Sequence, residues 1–499
     1  MQAWLSLSRD IYSFRWFFAR QIDSITTSIG PSHHRKGIKA TTWLAVYQAP
    51  TDPAMTKLLA SVLCALALTS AALAAPTGGA AASVDAIPSS VLTAEPEQET
   101  TPHASDDPNS VLWNLTTTVD PPQPIRGSLG APIMAQQNIP LQQMNPDLLA
   151  PPTTDNGDIP NLKWSFTMST NRLQTGGYAR QQNINQMSIA TSMAGVDMRL
   201  EAGAIRELHW HKTAEWAYVL SGQMQITAVD SSGRNFLGTV NAGDLWYFPA
   251  GIPHSLQATA TNPDGAEFLL IFNSGDFSED STFLLTDWLA HTPKDVLAKN
   301  FGTTIGAFDN IPAQQLYIFP GAAPSPDAVA PEDPQGQVPL PYTFLLSETP
   351  GTTYAGGSVK IADSTTFNAS TGIAVADVTV APGGMRYWHP TQDEWTIICS
   401  SGNARVTAFA STSTARTYNY QAGDIGFFPA SYGHYIENIG DTDLHFLEIF
   451  NTDVYEDVSL NQWLAVTPPE LVQEHLDLPN DTLASLSKTK PIIVGSTSV

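Results

Sequence analysis

Along most of the chain, apolar residues fall in short runs that end at turn-forming residues. Trp216-Ala-Tyr-Val-Leu, Gln223-Met-Gln-Ile-Thr-Ala-Val and Glu267-Phe-Leu-Leu-Ile-Phe are runs of this kind, rich in β-branched and aromatic side chains. Ser221-Gly222, Ser232-Gly233 and Asn241-Ala-Gly243 separate them. Such runs predict strands rather than helices. Many short strands at this spacing predict an all-β fold of the sandwich or jelly-roll barrel type. Helical patterning is confined to two stretches, 285–299 and 460–476. The 34 glycines and 37 prolines suit a chain that turns this often.

The body of the chain is a duplication. Ala242-Gly-Asp-Leu-Trp-Tyr-Phe-Pro-Ala recurs as Ala422-Gly-Asp-Ile-Gly-Phe-Phe-Pro-Ala, and Phe268-Leu-Leu-Ile-Phe-Asn as Phe446-Leu-Glu-Ile-Phe-Asn. Trp288-Leu-Ala-x-Thr-Pro returns as Trp463-Leu-Ala-x-Thr-Pro. The period is about 180 residues, far longer than a solenoid repeat, so each copy is a domain. The expected organisation is a first domain over 161–320, a Pro-rich linker over 321–341 and a second domain over 342–490. A polar, partly extended arm is expected over 75–160.

The first copy contains Gly203-x5-His209-x-His211-x3-Glu215-x6-Gly222, then Gly243-x5-Pro249-x-Gly251-x2-His254. His209, His211 and Glu215 share one face of a regular strand, and His254 follows a Pro-Gly turn on a later one. A lone His-x-His is usually a pair of surface histidines; the complete two-part pattern is that of a metal centre. Three imidazoles and a carboxylate leave two positions of an octahedral ion open. With no thiolate, this set suits Mn²⁺ or Fe²⁺ better than four-coordinate Zn²⁺. Arg206 is the candidate for holding an anionic substrate, but its odd offset from His209 puts it on the opposite face. It reaches the metal only if the chain is irregular between Gly203 and His209. From Phe272 to Trp288 the first copy is three residues longer than the second is from Phe450 to Trp463. The extra length surrounds Ser278-Glu279-Asp280-Ser281, which points to a lid over one domain only. Loop glutamates are commonly just solvated, so the lid reading of Glu279 leans on that asymmetry.

Both parts of the metal pattern match the two motifs of the cupins, and two such domains in tandem resemble the bicupin oxalate decarboxylases. The similarity runs over about 123–486 and includes Gly203-Ala-Ile-Arg-Glu-Leu-His-Trp-His, Gly243-Asp-Leu-Trp-Tyr-Phe-Pro and the Ser278-Glu-Asp-Ser-Thr loop. It implies a homo-oligomeric, Mn²⁺-dependent, dioxygen-requiring enzyme that cleaves oxalate to formate and carbon dioxide. It also implies that Arg206 binds substrate and that Glu279, carried on a mobile loop, donates the proton. The family's loop typically has Asn where Asp280 stands. An oxidase of the same substrate, releasing hydrogen peroxide, follows if Glu279 cannot deliver its proton. A storage bicupin is the third reading, and the full ligand set speaks against it.

The second copy departs from the first. It reads Arg386-Tyr387-Trp388-His389-x4-Glu394, with His434 later, and two residues are missing after Arg386. His389, Glu394 and His434 match three ligand positions. Tyr387 stands for the first histidine and, two residues from His389, is expected to face the interior within reach of a cation. Ser431 replaces the motif glycine. A weaker, partial metal site is expected here.

Composition narrows the partners and the compartment. The net charge of −24 excludes nucleic acid and anionic membrane surfaces as partners, since both require positive patches. Lys57, the apolar run 58–73 and the small-x-small Ala72-Leu73-Ala74 read as a signal peptide over 55–74, and an N-terminal anchor is the alternative. A secreted protein is therefore expected, with residues 1–54 no part of it. Removing 1–74 takes away seven basic and three acidic groups and makes the net charge −28. Asn114, Asn368 and Asn480 then lie in plausible glycosylation sequons. The two cysteines, Cys64 and Cys399, give no disulfide framework, and Cys399 reads as a buried strand residue. N-terminal sequencing of the secreted protein should begin after residue 74; a sequence starting before Met55 would contradict this.

Overall fold

A computed structural model describes residues 122–496; the side chains of residues 388–390 are also outside the description. The 1–54 extension, the signal peptide, Cys64 and the Asn114 sequon lie outside the described residues. No described helix is long and apolar enough to cross a membrane.

The first domain is built on eight antiparallel strands. These are β1 (Ala194–Leu200), β2 (Ile205–Trp210), β3 (Glu215–Ser221), β4 (Gln223–Val229), β5 (Asn235–Asn241), β6 (Leu245–Phe248), β7 (His254–Ala258) and β8 (Ala266–Phe272). One sheet has the order β5-β4-β7-β2, and the other has β6-β3-β8-β1. Two short strands, Ile318–Phe319 and Phe283–Leu284, both bond to β2, at Ile205–Arg206 and His209–Trp210 respectively. The second domain repeats the plan with β9 (Ala374–Val380), β10 (Met385–Pro390), β11 (Glu394–Ile398), β12 (Ala404–Phe409), β13 (Ala415–Tyr420), β14 (Asp424–Phe428), β15 (Gly433–Asn438) and β16 (Leu444–Phe450). Its sheets run β13-β12-β15-β10 and β14-β11-β16-β9. Two-sheet architecture follows from the alternation: one face of each strand carries the interior, as in β9 and β4.

The helical stretches each split in two, into Leu285–Ala290 and Lys294–Phe301 in the first copy, and Leu460–Val466 and Pro469–Leu476 in the second. The breaks fall at the Thr-Pro pairs, where proline cannot continue a helix. Cys399 sits half-buried just past the end of β11 rather than inside it.

The two domains exchange strands. Lys163–Ser165 precedes the first barrel in sequence but pairs with β14 of the second, and Thr343–Phe344 follows the linker but pairs with β6 of the first. Part of the arm lies on the second barrel: the Asp155 carboxylate accepts from the Thr417 amide and hydroxyl, at 3.0 and 2.6 Å. Between the barrels, Trp395, Ile425, Phe427, Leu447 and Ile449 join the first domain's core cluster. The Trp395 indole donates to Gln182 Oε1 at 2.7 Å. Its ring lies so close to Gly195 that a Cβ there would come within 2.3 Å, so this contact requires glycine.

Gly251 and Ser431 occupy the same turn in the two copies, and both are left-handed, with φ of 79° and 71°. For serine this conformation is strained. Ser431→Gly is expected to raise stability by about 1 kcal/mol, read as a higher denaturant midpoint; an unchanged or lower midpoint would show that no strain resides there.

Candidate metal centre and active site

Strand β2 is irregular where Arg206 needs it to be. His254 pairs with His209, but Leu256 pairs with Arg206, so three steps along β2 match two along β7. The extra residue is a β-bulge, and it reverses the alternation within the strand. Arg206 and Glu207 are both buried, Leu208 is 48% exposed, and His209 is buried again. Arg206 therefore shares the interior with the histidines, which regular strand parity had excluded.

The four ligand atoms of His209, His211, Glu215 and His254 lie within 4.8 Å of one another, all from buried residues. Each imidazole is oriented by its Nδ1, which donates to a backbone carbonyl: His209 to Glu207 at 2.6 Å, His211 to Thr213 at 2.7 Å, His254 to Ile252 at 2.8 Å. A neutral ring with a proton on Nδ1 presents a lone pair at Nε2. The Nε2 atoms of His211 and His254 point at the same oxygen, Glu215 Oε2, from 3.1 and 3.3 Å. The His254 Nε2 makes no hydrogen bond. Lone pairs converging on a carboxylate oxygen in a buried space repel unless a cation lies among them. Burial, followed by the charge of Arg206, holds the His209 imidazole well below its ordinary range, so it stays neutral. Burial would raise the Glu215 carboxyl, but the His254 and His211 side chains facing its Oε2 outweigh it and hold it well below the usual range. The Trp246 indole donates to its other oxygen at 2.8 Å and fixes the carboxylate plane. The residues thus fit a divalent cation with N₃O protein ligation.

Glu279 opens a short 3₁₀ turn, Glu279–Ser281, capped by the Ser278 hydroxyl. Its side chain is buried and its Oε2 accepts from Arg206 at 2.9 Å and from the Tyr317 hydroxyl at 2.8 Å. Its amide donates to Gln181 Oε1 at 3.0 Å. Burial, and next the Glu279 carboxylate, push the Tyr317 hydroxyl well up, so it remains a donor. The loop separates two clefts. One of about 540 Å³ reaches His211, Phe277 and Asp280; the other, about 430 Å³, reaches Glu279, Arg172 and Tyr317.

Tyr317, Glu207 and Arg172 escaped the sequence reading. Glu207 accepts from the amides of Thr286, Leu316 and Tyr317, at 2.7, 2.8 and 2.8 Å, and so ties the loop's far end and Tyr317 to the bulge. The available signal was weak: a Glu directly after Arg206, and a Tyr in a stretch with no pattern of its own.

In the second barrel, Glu394 and His434 converge as their counterparts do, with Nε2 and Oε2 3.4 Å apart. The side chain of His389 lies outside the described residues. Tyr387 does not face the interior; it is 43% exposed, with its ring 6.0 Å from that of Tyr435. From the arginine to the residue opposite the later histidine, β10 has one residue fewer than β2 (Arg386 to Trp388 against Arg206 to His209), so it pairs regularly with β15, and alternation turns Arg386 inward and Tyr387 outward. Trp388 pairs with His434 where the first barrel pairs His209 with His254. Arg386 is bound to Glu448 and Asp457 at 3.0 and 3.1 Å. Burial pushes the Glu448 carboxyl well above its usual range, against the pull of Arg386. Among the described residues, only the first barrel assembles a complete ligand group.

The cupin family matches the chain twice, over residues 171–305 and 344–483. Oxalate decarboxylase OxdC of Bacillus subtilis is 53% identical over 379 residues, covering 75% of this chain and 97% of that protein. The chain belongs to the bicupin oxalate decarboxylase family. A probable oxalate decarboxylase of Arthroderma benhamiae is 41% identical over 384 residues, 75% of this chain and 93% of that one. A solved structure of the B. subtilis enzyme, studied for its Mn(II) centres, has a TM-score of 0.73 at 53% identity, over 76% of this chain and 100% of the other. The family expectation of two tandem cupin domains thus holds.

Proposed function

We propose that the protein is a secreted, Mn²⁺-dependent oxalate decarboxylase, forming formate and carbon dioxide, with its chemistry confined to the first barrel. The supporting observation is the convergence of Arg206 and Glu279 on a single buried hydrogen bond beside a complete N₃O ligand group. The metal, when bound, supplies positive charge against a substrate carboxylate, and the family resemblance adds a requirement for dioxygen.

The chain's own groups account for the rest. Arg206 is buried, and a buried guanidinium left without an anion costs several kcal/mol. Its partner is Glu279 with the loop closed, and an oxalate carboxylate replaces Glu279 when the loop admits substrate. The exchange keeps the positive charge paired throughout. Cleavage breaks the carbon–carbon bond, releases one half as carbon dioxide and leaves the electron pair on the carbon that becomes formate. That carbon takes a proton from the Glu279 carboxyl. The 430 Å³ cleft beside Glu279 gives solvent a route to restore the proton. One proton is consumed per turnover, so acidic conditions favour the reaction. The walls of Phe248, Phe272 and Phe277 around the histidines keep the site poor in other water.

Glu279→Gln should lower the formate-forming rate by about 10²- to 10⁴-fold while leaving metal content unchanged, as read by formate assay and metal analysis. An unchanged rate would remove Glu279 from the role. Peroxide in place of formate from the unaltered protein would establish the oxidase reading instead.

A further inference from the structure

Arg172 lies outside every motif, at the start of a short edge strand, Arg172–Gln174, on the sheet that carries β1. Its guanidinium is 3.2 Å from the Asp280 carboxylate, on the loop residue next to Glu279. The same guanidinium lies 3.6 Å from the centre of the Tyr317 ring, and that of Arg206 lies 4.2 Å from the same centre. Tyr317 in turn donates to Glu279. Arg172 thus touches both the loop and the residue that receives the loop's acid.

We propose that Arg172 is a positioning residue that latches the loop closed through Asp280 and through the Tyr317 ring, and so favours formate over peroxide. The inference rests on the decarboxylase reading above. Once oxalate has taken the place of Glu279 on Arg206, a latched loop holds the released Glu279 carboxyl beside the substrate; an open loop leaves cleavage without its acid. The ion pair depends on the aspartate at this loop position. A solved variant of the B. subtilis enzyme has a Ser-Glu-Asn-Ser stretch replaced, and that tetrapeptide differs from Ser278–Ser281 only by Asn at the place of Asp280. An asparagine cannot form the ion pair. Asp280 is 81% exposed, so the pair by itself is weak and screened by salt. The stacking on Tyr317 adds to it. Small energies suffice, because the loop need only shift between two populations.

The test measures formate and hydrogen peroxide together, on the metal-loaded full-length protein, at low and high ionic strength. Arg172→Glu and Asp280→Arg should each raise the peroxide-to-formate ratio by about 3- to 10-fold, and the double charge swap should bring it back toward the starting value. Arg172→Lys keeps the charge and should fall between. In the unaltered protein the ratio should rise with salt, and in the single variants it should not. A ratio unaffected by the single variants, or raised equally in the double swap, overturns the latch. Absence of formate from the unaltered protein instead overturns the decarboxylase reading. Metal content equal to that of the unaltered protein identifies variants that have folded.

Discussion

A regular strand cannot aim Arg206 and His209 into the same interior, because side chains an odd number of positions apart face opposite ways. The bulge in β2 removes that prohibition, and the rest of the site depends on it. It turns Arg206 and Glu207 inward in succession and puts Leu208 alone outside. Two adjacent buried charges would be untenable without partners. Glu207 takes three backbone amides, and in doing so anchors residue 286 and residues 316–317 on either side. Arg206 takes Glu279. One inserted residue therefore sets the direction of Arg206, the seat of Tyr317 and the position of Glu279.

The second barrel shows what the same strand does without the insertion. β10 lacks the extra residue and pairs in regular register, and its arginine is committed to Glu448 and Asp457. Glu448 stands where the first copy has Leu270, so the interior of the second barrel has a carboxyl in place of hydrocarbon. That arrangement holds Arg386 in a fixed internal cluster. In the first barrel the corresponding arginine is paired with a residue on a loop. The duplicated halves thus differ in whether the buried arginine pairs with a loop residue or with strand residues, and they are locked together by strand exchange and by the Trp395 interface.

The all-β duplication and the four ligands of the first site were legible in the sequence, because strand alternation and a complete His-x-His-x3-Glu and His pattern are local signals. The inward turn of Arg206 was legible only as a condition, since parity argues against it and a bulge leaves no composition signature here. Tyr387 was misplaced for the related reason that its offset from His389 was used without the register of β10, which is set by pairing with β15. Tyr317 and Arg172 were invisible because their roles arise from distant segments meeting, with 111 residues separating Arg206 from Tyr317. The strand exchange between domains was equally hidden, since pairing partners as distant as Lys163 and Gly426, or Leu245 and Phe344, leave no periodic trace.

The central claim is that one barrel performs the chemistry. It is tested most directly by comparing formate production and manganese content in His254→Ala and His434→Ala proteins. His254→Ala should lose manganese and lose activity by more than the ~100-fold typical of disturbing a metal's outer shell. His434→Ala should remain near the activity of the unaltered protein. A folded His434→Ala protein that loses activity as severely as His254→Ala would contradict the account.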